Sequence, residues 1–475
     1  MSRFLALIIL AVPVSLCAQE TWTLQRCIDH AYSQNLTIKQ SELNVQLSAL
    51  NKKAAVGRML PSLNGSATHG YNWGQTIDPF TNSFATERIR SNSFGLQTGV
   101  NLFNGFQLQN GLKQAETDVE ISQANLEKVR NDIALNVAAS FLNILLNREL
   151  VSIAQRNLEA TTGQVSRVQK LVNAGALPQG SLDEINAQRA TDEANVVAAQ
   201  NAVDIAELTL VQMLQLTEQE SSSFEISVPQ ISDAESVQLP PDAQAAIQHA
   251  LNNFPEVKSA EANLESAEIG LDVARGMQYP RLDASFSYGT GYSGAAKQGI
   301  GDIQLGEPFP IGYVDGSFTP VYTQQFTYLD YETIPFERQV ENNTNQSLFF
   351  SLQIPIFNGF STNTGIQRAK INTLSSGYQL EQTKQQLTQT VELAYADAKA
   401  ALSNYEANVI AEAAAQKAFD YAEARFNAGA INSTEYNDAR ARLDNAKANV
   451  LRMKYDFVFK SKVLDFYQGK VITLN

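Results

Sequence analysis

The sequence predicts a mainly α-helical chain with a smaller membrane β part, built from two tandem copies of one unit. Three observations predict it. First, landmarks recur at one offset: Asn104-Gly105-Phe106 returns as Asn358-Gly359-Phe360, and Asn173-Ala174-Gly175-Ala176 as Asn427-Ala428-Gly429-Ala430, with no gap between them in either copy. Second, the stretch between the landmarks is Gln/Asn/Ala-rich and free of proline in both copies, as continuous helix requires. At about 1.5 Å per residue, roughly 65 residues reach about 100 Å. Third, two stretches in each copy switch to a period of two, the mark of β-strands.

In chain order, Arg3, the apolar run Phe4–Val14 and Leu16-Cys17-Ala18 read as a secretory signal over residues 1–18. Bulky Leu16 disfavours a lipobox at Cys17. With that cysteine removed, Cys27 is the remaining thiol, so no disulfide framework is expected. No later apolar run approaches the ~20 residues of a membrane helix. The exported chain is therefore soluble or enters a membrane as β-structure.

Thr23–Met59 reads as one helix, with Leu24, Ile28, Ala31, Ile38, Leu43, Leu47 and Leu50 at roughly helical spacing. It has a copy of its own: Ile28, His30, Ala31, Lys39 and Pro61 match Ile247, His249, Ala250, Lys258 and Pro280 at one offset. After Pro61, Leu63, Ala67, His69 and Tyr71 alternate with polar residues; Phe94, Leu96, Val100 and Leu102 form a second strand. Leu282, Ala284, Phe286 and Tyr288, then Leu348, Phe350, Leu352, Ile354 and Ile356, repeat the pattern. Such alternation suits strands that are apolar to lipid and polar to a lumen, and equally an antiparallel sheet on a soluble core. The export signal and the aromatic residues near strand ends favour the membrane. Two hairpins per chain, about 62–103 and 281–357, give four strands. Four cannot close a membrane barrel, so copies must join: two give eight strands, three give twelve. The second hairpin carries a long loop, 293–343, rich in Gly, Tyr and Phe, which reads as a cap, a plug, a binding loop or simple surface drift.

The long helices carry narrow apolar stripes, such as Leu126, Val129, Ile133 and Val137 in the first and Leu387, Val391, Ala394 and Ala398 in the second. Each stops at a glycine turn, Gly175 or Gly429, and returns as Ser181–Gln215 or Ser433–Gln468. The first repeat thus occupies 19–220 and the second 242–475. A connector over 221–241 holds a serine run, a β-like Phe224–Val228 and Pro229, Pro240 and Pro241.

Composition excludes much. The net charge is −14 and basic residues are not clustered, which excludes nucleic-acid binding. His30, His69 and His249 are scattered. There is no metal-ligand spacing, phosphate loop or nucleophile motif, so neither an enzyme nor a cofactor is expected.

The layout of helix, strand pair, long helix, turn and return helix, twice over, resembles the TolC family of outer-membrane efflux proteins across the whole mature chain. Pro61, Pro280 and Pro355 stand where that family has its helix–strand junctions; Asn101 occupies the fourth such position. The resemblance implies a homotrimer: a twelve-stranded barrel in the outer membrane of a Gram-negative cell, continued by an α-helical tunnel across the periplasm. It implies a periplasmic adaptor, an inner-membrane pump and outer-membrane lipid as partners. The family's tip motif, aromatic-x-x-Gly followed by acids, reads here Phe426-Asn427-Ala428-Gly429, then Glu435 and Asp438. By resemblance the two acids ring the tunnel entrance; their bland reading is a solvated pair at a helix N-terminus. The turns Asn173-Ala174-Gly175 and Asn427-Ala428-Gly429 would dock the adaptor. Ile431 and Ser181 replace the family's usual latch of an arginine and an acid, so closure must use other contacts. The implied function is the exit duct of a tripartite efflux or type I secretion system. The alternative is an exported coiled-coil spacer or adhesin without channel activity.

Overall fold

The computed structural model describes residues 21–86, 88–229, 239–240 and 242–473. The expected signal, Cys17 and part of the connector, including Pro241, lie outside the described residues. In chain order, α1 (Leu24–Gln34) and α2 (Leu36–Gly57) lead to β1 (Ser62–Asn72), the short β2 (Thr76–Ile77) and β3 (Phe84–Ala85), and β4 (Ile89–Phe103). Then come α3 (Gln107–Asn173), α4 (Gln179–Leu214) and the single turn α5 (Glu218–Ser222). The second repeat gives α6 (Gln244–Asn253), α7 (Pro255–Gly276), β5 (Arg281–Ser293), β6 (Lys297–Leu305), β7 (Phe309–Tyr313), β8 (Pro320–Thr323) and β9 (Phe326–Thr333). It closes with α8 (Phe336–Asn342), β10 (Asn345–Gln353), α9 (Ser361–Asn427) and α10 (Ser433–Tyr467). The two long helices, α3 and α9, are 67 residues each.

The helix expected over Thr23–Met59 is broken at Asn35. The apolar spacing runs through the break, so periodicity misses it. Asn35 caps both sides: its backbone N–H donates to Ala31 O, and its side chain accepts from Thr37 N at 2.9 Å and donates to Met213 O at 3.1 Å. The second repeat breaks at the same place by other means. Phe254 is extended (φ −73°, ψ 141°) and Pro255 opens α7, where a missing N–H costs nothing.

Contacts divide the chain into two compact units. One comprises the chain up to Ala49, Thr117–Glu265 and the chain from Leu374 onward; the other comprises Leu50–Glu116 and Ser266–Thr373. The first unit holds two related cores. In one, Cys27, Ile28 and Ala31 of α1 meet Val137, Phe141, Ile144 and Leu145 of α3, Leu210 and Leu214 of α4, and Tyr455 and Val458 of α10. In the other, Ile247 and Ala250 of α6 and Val257 of α7 meet Leu387, Val391 and Ala398 of α9 and Leu464 of α10. Val137 and Val391, Ile144 and Ala398, and Ala31 and Ala250 are repeat-mates, and all six are completely buried. The duplication therefore extends to packing. Among the described helices, α3 alone has a stretch long and apolar enough to cross a membrane. Its large apolar side chains around Phe141 are instead core. The connector's β-like run is one parallel bridge, Trp22 to Ile226, with Trp22 N donating to Glu225 O at 2.8 Å and Ser227 N to Trp22 O at 2.9 Å.

The second unit holds an antiparallel sheet in the order β1-β4-β5-β10. The two expected hairpins are there, joined side by side through β4 and β5. Register decides which residues share a face. Ala67 pairs with Phe94, Leu96 with Tyr288, Phe286 with Leu348, and Ala284 with Phe350. The alternating apolar sets of all four strands therefore line one face, and Ser66, Ser93, Gln97, Ser285, Ser287 and Ser351 line the other, where Phe349 is an apolar exception. A soluble sheet would cover the apolar face. Here Leu63 is 72 % exposed, Leu348 61 % and Phe350 65 %. The soluble-core reading of the alternation does not hold. The strand expected to reach Ile356 ends at Gln353, since Pro355 has no N–H for a ladder. Pro355 follows an edge strand, where that loss is tolerated; its repeat-mate Asn101 lies in β4, between β1 and β5. There a β-bulge separates Asn101 from Phe103, and the Asn101 amide donates to Asp283 Oδ1 at 2.9 Å.

Candidate functional site

The α3–α4 and α9–α10 turns are built alike. Gly175 (φ +72°) and Gly429 (φ +70°) take the left-handed conformation that ends each long helix. Ala176 N then reaches back to Leu171 O and Ala430 N to Arg425 O, both at 2.8 Å, so the last carbonyls are satisfied. Asn173 and Asn427 are the last residues of their helices, with Ala174 and Ala428 before the glycines. Pro61 and Pro280 lie between helix and strand, and Pro355 between β10 and α9.

Glu435 and Asp438 are exposed on the first turns of α10 and share a face. Asn432 caps that helix, accepting from Glu435 N at 2.8 Å. The residues between and beyond the acids point inward. Tyr436 is buried and stacks on Phe426, with ring centroids 4.8 Å apart. Its hydroxyl accepts from Gln164 Nε2 of α3 at 3.4 Å. Burial pushes the Tyr436 phenol above its ordinary range, so it stays a neutral donor and acceptor. Phe426, Tyr436, Ile431, Ser181, Val168 and Ile185 line a cavity of about 170 Å³. Ile431 and Ser181 thus face one largely apolar cavity between the two turns.

Other contacts tie the turns together. Arg167 Nη1 donates to Asn427 Oδ1 at 2.6 Å. Glu184, the repeat-mate of Asp438, accepts from Ser433 Oγ and, at 2.7 Å, from Thr434 Oγ1. Those two hydroxyls hold the Glu184 carboxyl below the usual carboxylate range. The link is thus fully formed above that range and is lost as pH falls through the lowered value. One step deeper, Arg440 of α10 is 7 % exposed and reaches two helices of the other repeat. It donates to Thr161 Oγ1 and Asn157 O of α3, and lies 3.9 Å from Asp192 Oδ2 of α4 and 3.7 Å from Asp444 Oδ2. Thr161 Oγ1 donates in turn to Asp192, and Gln188 Nε2 donates to Asp192 at 3.0 Å. Burial pushes the Asp444 carboxyl up, against the pull of Arg440.

Sequence reasoning missed this clasp, although a signal was there. Tyr436, Arg440 and Leu443 share one helical stripe, and Leu182, Ile185 and Asp192 another. A cation and an anion at core positions of two apolar stripes call for each other. No group of three or more metal-ligating side chains is found among the described residues.

A sheet apolar on one exposed face, whose outer strands have no second partner among the described residues, and duplicated long helices fit a protein that enters a membrane through β-structure. The chain belongs to the outer membrane efflux protein family: the family model matches residues 27–215 and 246–469, one segment in each repeat. It is 22 % identical over 442 residues to outer membrane efflux protein BepC of Brucella suis, spanning 93 % of this chain and 84 % of that one. Over 408 residues it is 22 % identical to outer membrane protein TolC of Escherichia coli, spanning 84 % and 72 %. A crystal structure of CusC shares the fold, with a TM-score of 0.74 at 18 % identity, covering 94 % of this chain and 92 % of that one. The resemblance read from the prolines, turns and repeats is thus correct. The protein is a channel of the outer membrane that extends into the periplasm, and its family is one of transport channels.

Proposed function

We propose that three copies of this chain join, β1 of one to β10 of the next, into a passive twelve-stranded duct. The observation that carries this is the sheet. Its apolar face is exposed while, among the described residues, its outer strands β1 and β10 have no second partner strand. In lipid each open edge would leave backbone groups unsatisfied, at several kcal/mol each. In this reading Pro61, Pro280 and Pro355 let the chain leave the barrel for the helices. The turns Asn173-Ala174-Gly175 and Asn427-Ala428-Gly429 dock a periplasmic adaptor, which links the duct to an inner-membrane pump. Glu435 and Asp438, exposed on one face, gather six carboxylates around the entrance under three-fold symmetry, with Phe426 and Gly429 shaping the turn behind them. The intrachain links at Asn427, Glu184 and Arg440 take the place of the missing latch.

Single-channel recording in planar bilayers tests this. The protein should give steps of uniform conductance, blocked from the periplasmic side by a multivalent cation. Replacing Glu435 and Asp438 together with alanine should weaken that block by roughly tenfold or more, since a ring of charge binds such ions strongly. Unchanged block removes the two acids from the entrance; no conductance refutes the duct.

A further inference from the structure

Residues 293–343, expected as a loop, are folded. β6 pairs with β9 and β7 with β8, and Gly306 N donates to Gln325 O at 2.8 Å between the two pairs. They form one long two-stranded ribbon over 297–333. Its base is pinned by buried polar groups. Ser293, Gln339 and Asp78 are at most 2 % exposed. Ser293 Oγ donates to the Asp78 carboxylate; Gln339 accepts from Ser293 N at 2.9 Å and donates to Ser293 O at 3.0 Å. Phe336 packs on Phe94 and Tyr292 of the sheet, with centroids 6.2 and 5.5 Å away. The ribbon therefore leaves the sheet from a fixed frame.

Beyond that base it carries more apolar surface than a free ribbon can support. Leu305 faces Phe326 and Ile303 faces Tyr328 across the strands, so four large side chains share one face. Ile303, Leu305 and Phe326 are 52 %, 59 % and 60 % exposed, and Ile311 and Phe318 farther out are 63 % and 83 % exposed. An isolated two-stranded hairpin is marginal in water, and an apolar face of this kind needs a cover. Five carboxylates against one lysine over 297–333 make anionic lipid headgroups a poor cover.

We propose that the cover is the ribbon of the neighbouring copy, so that three ribbons form a collar over the outer mouth of the duct; this rests on the trimer of the preceding section. Magnitudes support it. Twelve strands about 4.8 Å apart and tilted by about 40° enclose a barrel roughly 24 Å across, which bounds the separation of the three ribbon bases. The two arms of the ribbon, 297–313 and 320–333, at about 3.3 Å per residue are roughly 45–55 Å long. Three such arms rooted that close are held at high effective concentration, so even weak pairwise burial is realised.

A spin label at Gln304→Cys, which faces away from the patch, tests this in the full chain carrying Cys17→Ser, in phosphatidylcholine nanodiscs. Cys27 is buried and its thiol is pushed up to about 12, so it stays unlabelled. Dipolar spectroscopy should give one narrow inter-label distance no longer than about 21 Å, the spacing of three symmetric points on a barrel rim of that diameter. Adding Ile303→Asp and Phe326→Asp should broaden and lengthen it while native mass still shows three copies. A broad, long distribution that these substitutions do not change, in an intact trimer, overturns the collar and leaves the duct standing. A second label at Leu305→Cys, on the patch, whose spin relaxation is accelerated by lipid-dissolved oxygen, overturns it in favour of the membrane surface. A monomer overturns the collar and the trimer together.

Discussion

Replacing Arg440 with alanine costs the chain about 3–5 kcal/mol, because it leaves the buried Asp192 beside Thr161 without its guanidinium and Asp444 with Lys447 as its remaining cation. The measurement is the shift in urea midpoint of the helical circular-dichroism signal at fixed detergent. The scale follows from burial. Both side chains of the Arg440–Asp192 pair are 9 % exposed, so neither ion has water to fall back on. By contrast the Arg275–Asp272 pair, 57 % and 55 % exposed, should change stability by at most about 1 kcal/mol when broken. The sign of the pH dependence also follows. Asp444 already has a raised pKa, and losing Arg440 raises it further. A carboxyl raised in the folded state contributes stability below its unfolded value and loses it as pH rises through the folded one. The deficit of Arg440→Ala should therefore shrink at acid pH and be largest near neutrality. Arg440→Lys keeps the charge but not the fork to Asn157 and Thr161, and should fall between.

Gly105→Ala has the second large effect, again about 3–5 kcal/mol, and the repeat supplies its own control. Gly105 sits at φ +66°, where a Cβ would lie 2.2 Å from Gly276 O and 2.8 Å from Tyr279 Cβ. The first clash is with backbone, which no rotamer change relieves. It adds to the about 1–2 kcal/mol that an L-residue pays in the left-handed region. Gly359 has the same turn and φ +61°, but a Cβ there would meet nothing within 4 Å. In the dissociated chain Gly359→Ala should cost only the about 1–2 kcal/mol of conformation; in the trimer proposed above a neighbouring copy stands beside Gly359 and can add to that cost. Equal losses in the dissociated chain would mean that the close approach of Gly105 to Gly276 is not maintained. Thermal unfolding of the two variants side by side, followed by circular dichroism, distinguishes the cases.

Duplication, long helices and strand alternation were legible because each is written in local periodicity. Leu63, Phe94, Phe286 and Phe350 announce their face by spacing two alone. The pairing of β4 with β5 carries no such signal, since any two free edges satisfy local chemistry equally. The ribbon was hidden for another reason. Gly299, Gly301, Gly306 and Gly312 interrupt its alternation, and Pro310 and Pro320 read as turn residues. The break at Asn35 escaped because its cap draws on Met213, which is distant in sequence. Arg440 and Asp192 stood in plain sight at core positions of two apolar stripes. Their partnership required knowing which helices meet. The acids Glu435 and Asp438 could be placed on one exposed helix face from spacing alone, while the contacts that hold the turns together involve residues from both repeats.

The account depends on identical chains sharing their unpaired outer strands. Native mass spectrometry of the full-length protein released from detergent measures this most directly. The account predicts one species of three chains that survives gas-phase removal of the detergent; a single chain, folded and stable without detergent, would contradict it.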